Sequence, residues 1–132
     1  MTTYDDGMRV RREVLGDEHV DRATSEADAL TADFQRLITE YAWGSVWTRP
    51  RLDRRTRSLI TITALVARGH HEELALHLRA TGNTGATAEE VRAALMHVAV
   101  YAGVPAANSA FALAKTILAS DAEHQSHGEQ SR

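Results

Sequence analysis

His70, Glu73 and His77 fall at i, i+3 and i+7, a spacing that brings two imidazoles and a carboxylate to one face of a helix. A metal can use such a face, but the zinc-peptidase order needs a second His four places after the first, and here His71-Glu72 is followed by Ala75. A metal is therefore not expected on this face. His77 lies among Leu74, Leu76 and Leu78, where it is either a hydrogen-bonded core histidine or a general acid or base near neutral pH. His97 and Tyr101, four apart, can donate hydrogen bonds into one cavity or to neighbouring helices. Arg57 and Arg79 sit among apolar residues, where a guanidinium needs an anion supplied by the protein or by a substrate. Glu40, Tyr41, Trp43 and Trp47 gather around one helix end. Aromatics so placed are more often core than ligand wall, and Glu40 is more often solvated or capping. The stretch Ser45-Val46-Trp47-Thr48-Arg49-Pro50-Arg51-Leu52 carries an aromatic and two guanidiniums, which makes it a candidate pocket wall.

Helices must position these groups. Met8, Val10, Val14 and Leu15 predict a short amphipathic helix over about residues 4–15, ended by Gly16, with Arg9, Arg11 and Arg12 on a solvated face beside Asp5, Asp6 and Glu13. Leu30, Phe34, Leu37, Ile38 and Tyr41 predict a second over about 29–43, ended by Gly44. Asp53 is a good N-cap for a third, in which Leu59, Ile60, Ile62, Leu65 and Val66 crowd so densely that most of its circumference should be buried. A fourth covers about 70–80, before Thr81-Gly82-Asn83-Thr84-Gly85 breaks the pattern. Thr87 and Glu90 form a capping box that starts a fifth helix over about 88–102. Gly103 ends it in a left-handed conformation, and Pro105 opens the sixth. Ala106 and Ala107 there are either packing spacers or a small-residue restart that leaves first-turn N–H groups open to an anion. No strand pattern emerges. The expected fold is all-α, a bundle of about six helices in one domain over 1–119, with a polar, disordered tail over 120–132.

Composition narrows the function. A chain of 132 residues can bury a core without staples, and it has no cysteine, which removes disulfides, thiolate metal sites and Cys nucleophiles and fits a reducing compartment. A net charge of −3 offers no general attraction to nucleic acid. Neither a secretory start nor an apolar run of membrane-spanning length is present, so a cytoplasmic protein without membrane contact is expected. Phosphate loops and serine nucleophile elbows are also missing. The apolar helices over 59–66 and 91–102 carry more apolar surface than one small bundle hides, which predicts a homo-oligomer.

Longer strings add a resemblance. Glu40-Tyr-Ala-Trp-Gly-Ser-Val-Trp47 and Tyr101-Ala-Gly-Val-Pro-Ala-Ala-Asn108, with the segments 54–62 and 73–80, closely resemble the carboxymuconolactone decarboxylase family, within the alkylhydroperoxidase-like superfamily, over nearly the whole chain. The resemblance implies an all-helical carboxy-lyase, commonly a homohexamer, that decarboxylates 4-carboxymuconolactone without a cofactor to give the 3-oxoadipate enol-lactone in protocatechuate catabolism. It implies a small dicarboxylate lactone as substrate. His77 becomes the proton carrier, with Glu40 tuning it, Arg57 and Arg79 become anchors, and Trp47, His97 and Tyr101 become substrate contacts. Superfamily members with peroxidase activity use a Cys-x-x-Cys pair before the histidine; His70 and Glu73 stand there in this chain, which excludes that thiol chemistry. A related lactone or enolate reaction in a biosynthetic pathway, or a non-catalytic helical oligomer, are the competing readings.

Overall fold

A computed structural model describes the backbone of residues 2–130 and the side chains of residues 2–120; the tail expected past Ser120 lies outside the residues described in full. Among the described residues there are eight α-helices, one π-helical segment and no strand. The all-α expectation holds, but two helices exceed the six expected: α2 (Asp17–Glu26) and the single turn α6 (Thr81–Thr84). In α2 only Val20 is buried, so no apolar stripe announces that helix. The chain forms two compact units, residues 1–57 and 58–132.

The first unit is built on α1 (Thr3–Leu15). Thr2 and Asp5 close its start as a capping box, with the Asp5 N–H donating to Thr2 Oγ1 at 3.1 Å and the Thr2 N–H to Asp5 Oδ2 at 3.2 Å. α1 lies against the continuation of α3 (Ala32–Ile38), which does not stop at Gly44 but widens into the π-helical segment Thr39–Val46. The Trp47 N–H donates to the Ala42 carbonyl at 3.0 Å, the five-residue reach of π geometry. The contact needs glycine on both sides. A Cβ on Gly7 would run into the Thr39 carbonyl oxygen and lie 2.9 Å from the Gly44 nitrogen, and one on Gly44 would strike Thr3. Arg11 departs from expectation: it is buried, donating from Nη1 to Thr39 Oγ1 at 3.3 Å and from Nη2 to Gln35 Oε1 at 3.0 Å. Arg9 and Arg12 keep to the solvated side, where Arg12 pairs with Asp17 and Asp21.

The second unit holds the apolar core. Most of α4 (Arg54–Arg68) lies in it, with α5 (His71–Arg79), α7 (Ala88–Ala102) and α8 (Val104–Gln130). Ile62 and Val66 pack with Leu74, Leu78, Val91, Leu95, Val98, Ala110, Ala114 and Ile117. The capping box at Thr87 and Glu90 forms as expected. Gly103 takes a positive φ of 105°, although its ψ of 150° is extended and not helical. Pro105 stands in the first turn of α8, and Ala107 is buried, so the small residues there are packing spacers. In α4 only Ser58, Ile62 and Val66 are buried, one stripe at intervals of four, while Ile60 stays half-exposed. The expectation of burial around most of its circumference is therefore not met within the chain.

Gly7→Ala should destabilise the protein by about 2 kcal/mol or more, since backbone on the far side has nowhere to yield. Gly82→Ala, where a Cβ meets nothing within 4 Å, should be neutral or slightly stabilising. Urea denaturation of both variants checks the pair.

Candidate functional site

Of the seven site residues read from the sequence, Glu40, Trp47 and Arg57 belong to the first unit and His77, Arg79, His97 and Tyr101 to the second. Neither unit holds the set whole.

In the first unit the π-helical segment carries Glu40 and Trp43 and delivers the chain to Trp47. The two indoles stack, centroids 4.9 Å apart and planes 29° from parallel, with Trp43 buried and Trp47 half-buried. The two rings are layered, and Trp47, the half-buried member, keeps apolar surface of the kind that a ring can pack against. Glu40 is half-buried and pairs with Arg36, Oε1 to Nε at 3.1 Å. Arg57 acts on backbone. Its Nη2 donates to the Arg49 carbonyl at 2.7 Å and its Nε to the Leu52 carbonyl at 3.2 Å, so one planar fork grips both ends of the segment Arg49-Pro50-Arg51-Leu52. Within that segment Arg51 has φ +91°, the single non-glycine residue at positive φ among the described residues. Asp53 then caps α4 by accepting from the Thr56 N–H at 2.8 Å. That backbone hydrogen bond, followed by the one to the Thr56 side chain, holds the Asp53 carboxyl below its ordinary range.

In the second unit α5 aims His77 inward, where it is buried between Leu74 and Leu78 on the same helix, its Nδ1 shielded from solvent. Arg79, two residues on, is exposed. His97 and Tyr101 come together as their spacing requires, ring centroids 5.2 Å apart, but they do so on an outer face of α7, where Tyr101 is 80% exposed. The expected shared cavity is not formed by this chain around them. His70 and Glu73 are exposed while His77 is buried, and among the described residues no three His, Cys, Asp or Glu side chains converge on a point where a metal ion could sit.

Two cavities are built from other residues. One, of about 300 Å³, lies between α1, α2 and α3 and includes Tyr4, Arg11, Gln35 and Arg36 in its walls. The other, of about 200 Å³, is an apolar cleft between α7 and α8 with Arg92 and Lys115 among its lining residues. None of the seven residues lines either. Reading the sequence missed the burial of Arg11 and the backbone state of Arg51. For Arg51 a signal was present: proline at the second position of a turn often precedes a third residue with positive φ.

Comparison with known proteins adds independent information. The family described as the carboxymuconolactone decarboxylase family matches residues 32–116, a range that contains all seven site residues and leaves α1 and α2 outside. The chain is similar to a 4-carboxymuconolactone decarboxylase of Acinetobacter baylyi, 46% identical over 114 residues, 86% of this chain and 85% of that protein. It is also similar to the nitrosuccinic acid decarboxylase npaB of Metarhizium robertsii, 47% identical over 102 residues, 77% of this chain and 71% of that protein. An uncharacterised 15.0 kDa protein of Paracoccus denitrificans is 30% identical over 108 residues, 80% of this chain and 79% of that one.

The carboxyls of Asp5, Glu13, Asp28 and Asp53 are all held low, by Thr2, Arg54, the Thr31 backbone and the Thr56 backbone respectively. A depressed carboxyl contributes stability that is complete above its unfolded pKa and lost as pH falls through the folded one, so the melting temperature should drop below about pH 4. Asp53→Asn keeps a capping oxygen without the charge and should make that drop shallower while leaving neutral-pH stability nearly unchanged. Thermal melts across the acid range test both statements.

Proposed function

Because the chain belongs to the carboxymuconolactone decarboxylase family, we propose that it decarboxylates 4-carboxymuconolactone to the 3-oxoadipate enol-lactone, without a cofactor, in the protocatechuate branch of aromatic catabolism. The observation that carries this reading is 46% identity across most of both chains to the Acinetobacter baylyi decarboxylase. A cytoplasmic location goes with the proposal. It is supported by a cysteine-free composition and by the lack, among the described residues, of any helix long and apolar enough to cross a membrane.

The chemistry asks little of the protein. The bond from the ring carbon to its carboxylate breaks, CO2 leaves, and the electron pair moves through the conjugated double bond onto the lactone carbonyl oxygen. A proton must then reach the carbon next to that carbonyl. The protein has to hold two carboxylates, stabilise the developing oxyanion and deliver the proton. In the proposal the second unit supplies Arg79 as a cationic anchor, His97 and Tyr101 as donors to the lactone oxygen and His77 as the source of the proton, while Trp47 and Glu40 keep the roles that the family resemblance implies. Arg57 serves through the turn whose carbonyls it holds.

A second reading has its own support, the similarity to a relative named for decarboxylating nitrosuccinic acid. That compound also carries two carboxylates, and its nitro group can accept the electron pair released with CO2. The two readings therefore need the same protein groups and differ in the electron sink. Turnover assays on the two acids side by side separate them.

Assembly belongs to the proposal as well: a homo-oligomer, and a hexamer by family resemblance. Its support is apolar side chains left uncovered within each unit, Leu30, Phe34, Leu37 and Tyr41 in the first and Met96, Val100, Tyr101 and Val104 in the second. Light scattering at micromolar concentration should give a mass several times that of the chain; a monomer would refute this part.

His77→Ala should lower kcat by about a hundredfold or more, a scale typical of losing a general acid, with substrate binding little changed. Steady-state kinetics decides it, with circular dichroism as the folding control. A folded variant turning over at close to the parent rate would make His77 a structural histidine.

A further inference from the structure

The turn that Arg57 grips holds a residue of the wrong type for its backbone. Arg49-Pro50-Arg51-Leu52 has proline at the second position and φ +91° at the third, the signature of a type II turn. That third position is sterically suited to glycine, because a Cβ there crowds the adjacent carbonyl. Arginine occupies it here, with its side chain exposed.

The surroundings make this guanidinium available. Residues 49–57 hold five arginines, at 49, 51, 54, 55 and 57, against the single carboxylate of Asp53. Arg54 is neutralised by Glu13, and Arg57 binds the turn carbonyls. Asp53 is engaged with the start of α4. The Arg49 and Arg51 side chains, both exposed, make no ion pair among the described residues. The backbone beneath them is fixed at both ends by Arg57, and at its root the Thr48 hydroxyl donates to the Gly44 carbonyl at 2.7 Å. A strained, clamped turn that projects an uncommitted cation is a preorganised place for an anion.

We propose that Arg51 is a specificity-determining residue that meets a carboxylate of the substrate, and that Arg57 is its positioning residue, fixing the turn without touching the substrate. This rests on the decarboxylase reading above. It assigns to the Arg51 side chain the anchoring that the sequence alone suggested for Arg57.

The test uses Arg51→Gly and Arg51→Lys in the full chain, with two ligands: 4-carboxymuconolactone for turnover, and the saturated lactone diacid for calorimetric binding, since without the double bond it lacks the electron sink. Arg51→Gly relieves the backbone and removes the cation. It should melt no lower than the parent, raise KM and the Kd of the saturated diacid about tenfold, and leave kcat within about twofold. Arg51→Lys should recover part of the affinity, and added salt should weaken binding by the parent more than by Arg51→Gly. A KM and Kd for Arg51→Gly within about twofold of the parent would overturn the proposal, as would a large fall in its melting temperature, which would make Arg51 a fold residue. If the parent binds the saturated diacid but does not turn over the lactone, and Arg51→Gly loses that binding, the decarboxylase reading fails and the anion site stands. If the parent binds neither ligand, the anion site falls too.

Discussion

Backbone meets backbone where Gly7 of α1 crosses Gly44 of the π-helical segment, and neither residue has room for a side chain. Around that crossing the first unit is organised. Once the two elements lie this close, the Arg11 side chain is carried under the surface, and burial of a guanidinium is tolerable only when its donors find acceptors. Gln35 and Thr39 provide them, from the turn of helix just before the π-helical segment and from its first residue. The same geometry supports the wider π winding that turns Trp43 inward to stack on Trp47. Such windings recur at functional sites because they re-aim side chains that a regular helix would present elsewhere.

The turn at Arg49–Leu52 shows how the second half of that unit is held. A non-glycine residue in a left-handed conformation costs about 1–2 kcal/mol. The two hydrogen bonds from Arg57 to the flanking carbonyls contribute about 1 kcal/mol each in a partly exposed setting. The two effects are of the same size, so the strained conformation persists without help from burial. A long cationic side chain is thereby directed from a fixed base, which a flexible linker of the same composition would not do.

The second unit works on another principle. Its core is a continuous cluster from four helices, with His77 set into its edge on α5, and its outer surfaces keep Met96, Val100, Tyr101 and Val104 in water. Tyr101 therefore has two demands on it, since its ring, beside that of His97, extends an apolar strip while its hydroxyl is a donor. A donor pair on an uncovered apolar face gains strength when that face is desolvated, because hydrogen bonds to a developing charge are worth more away from water.

What the sequence determined was local. The Thr87–Glu90 capping box, the stops at Gly16 and Gly103, the restart at Pro105 and the Asp53 cap each depend on atoms within one helical turn, so residue types at fixed spacing suffice to specify them. The all-α class followed from the same short-range periodicities, and the neighbouring rings of His97 and Tyr101 from a spacing of four. What tertiary structure decided was every question of what a side chain meets. Arg11 looks like its solvated neighbours Arg9 and Arg12 until α1 is laid on the π-helical segment. Gly44 looks like a helix stop until Thr3 is found to occupy the space of its missing side chain. Arg57 looks wholly available to an anion until two backbone carbonyls, five and eight residues away, are seen to take two of its five N–H donors. Caps and periodicity are set by bonds along one stretch of chain, whereas burial, winding and the use of a guanidinium are set by partners that only folding brings within reach.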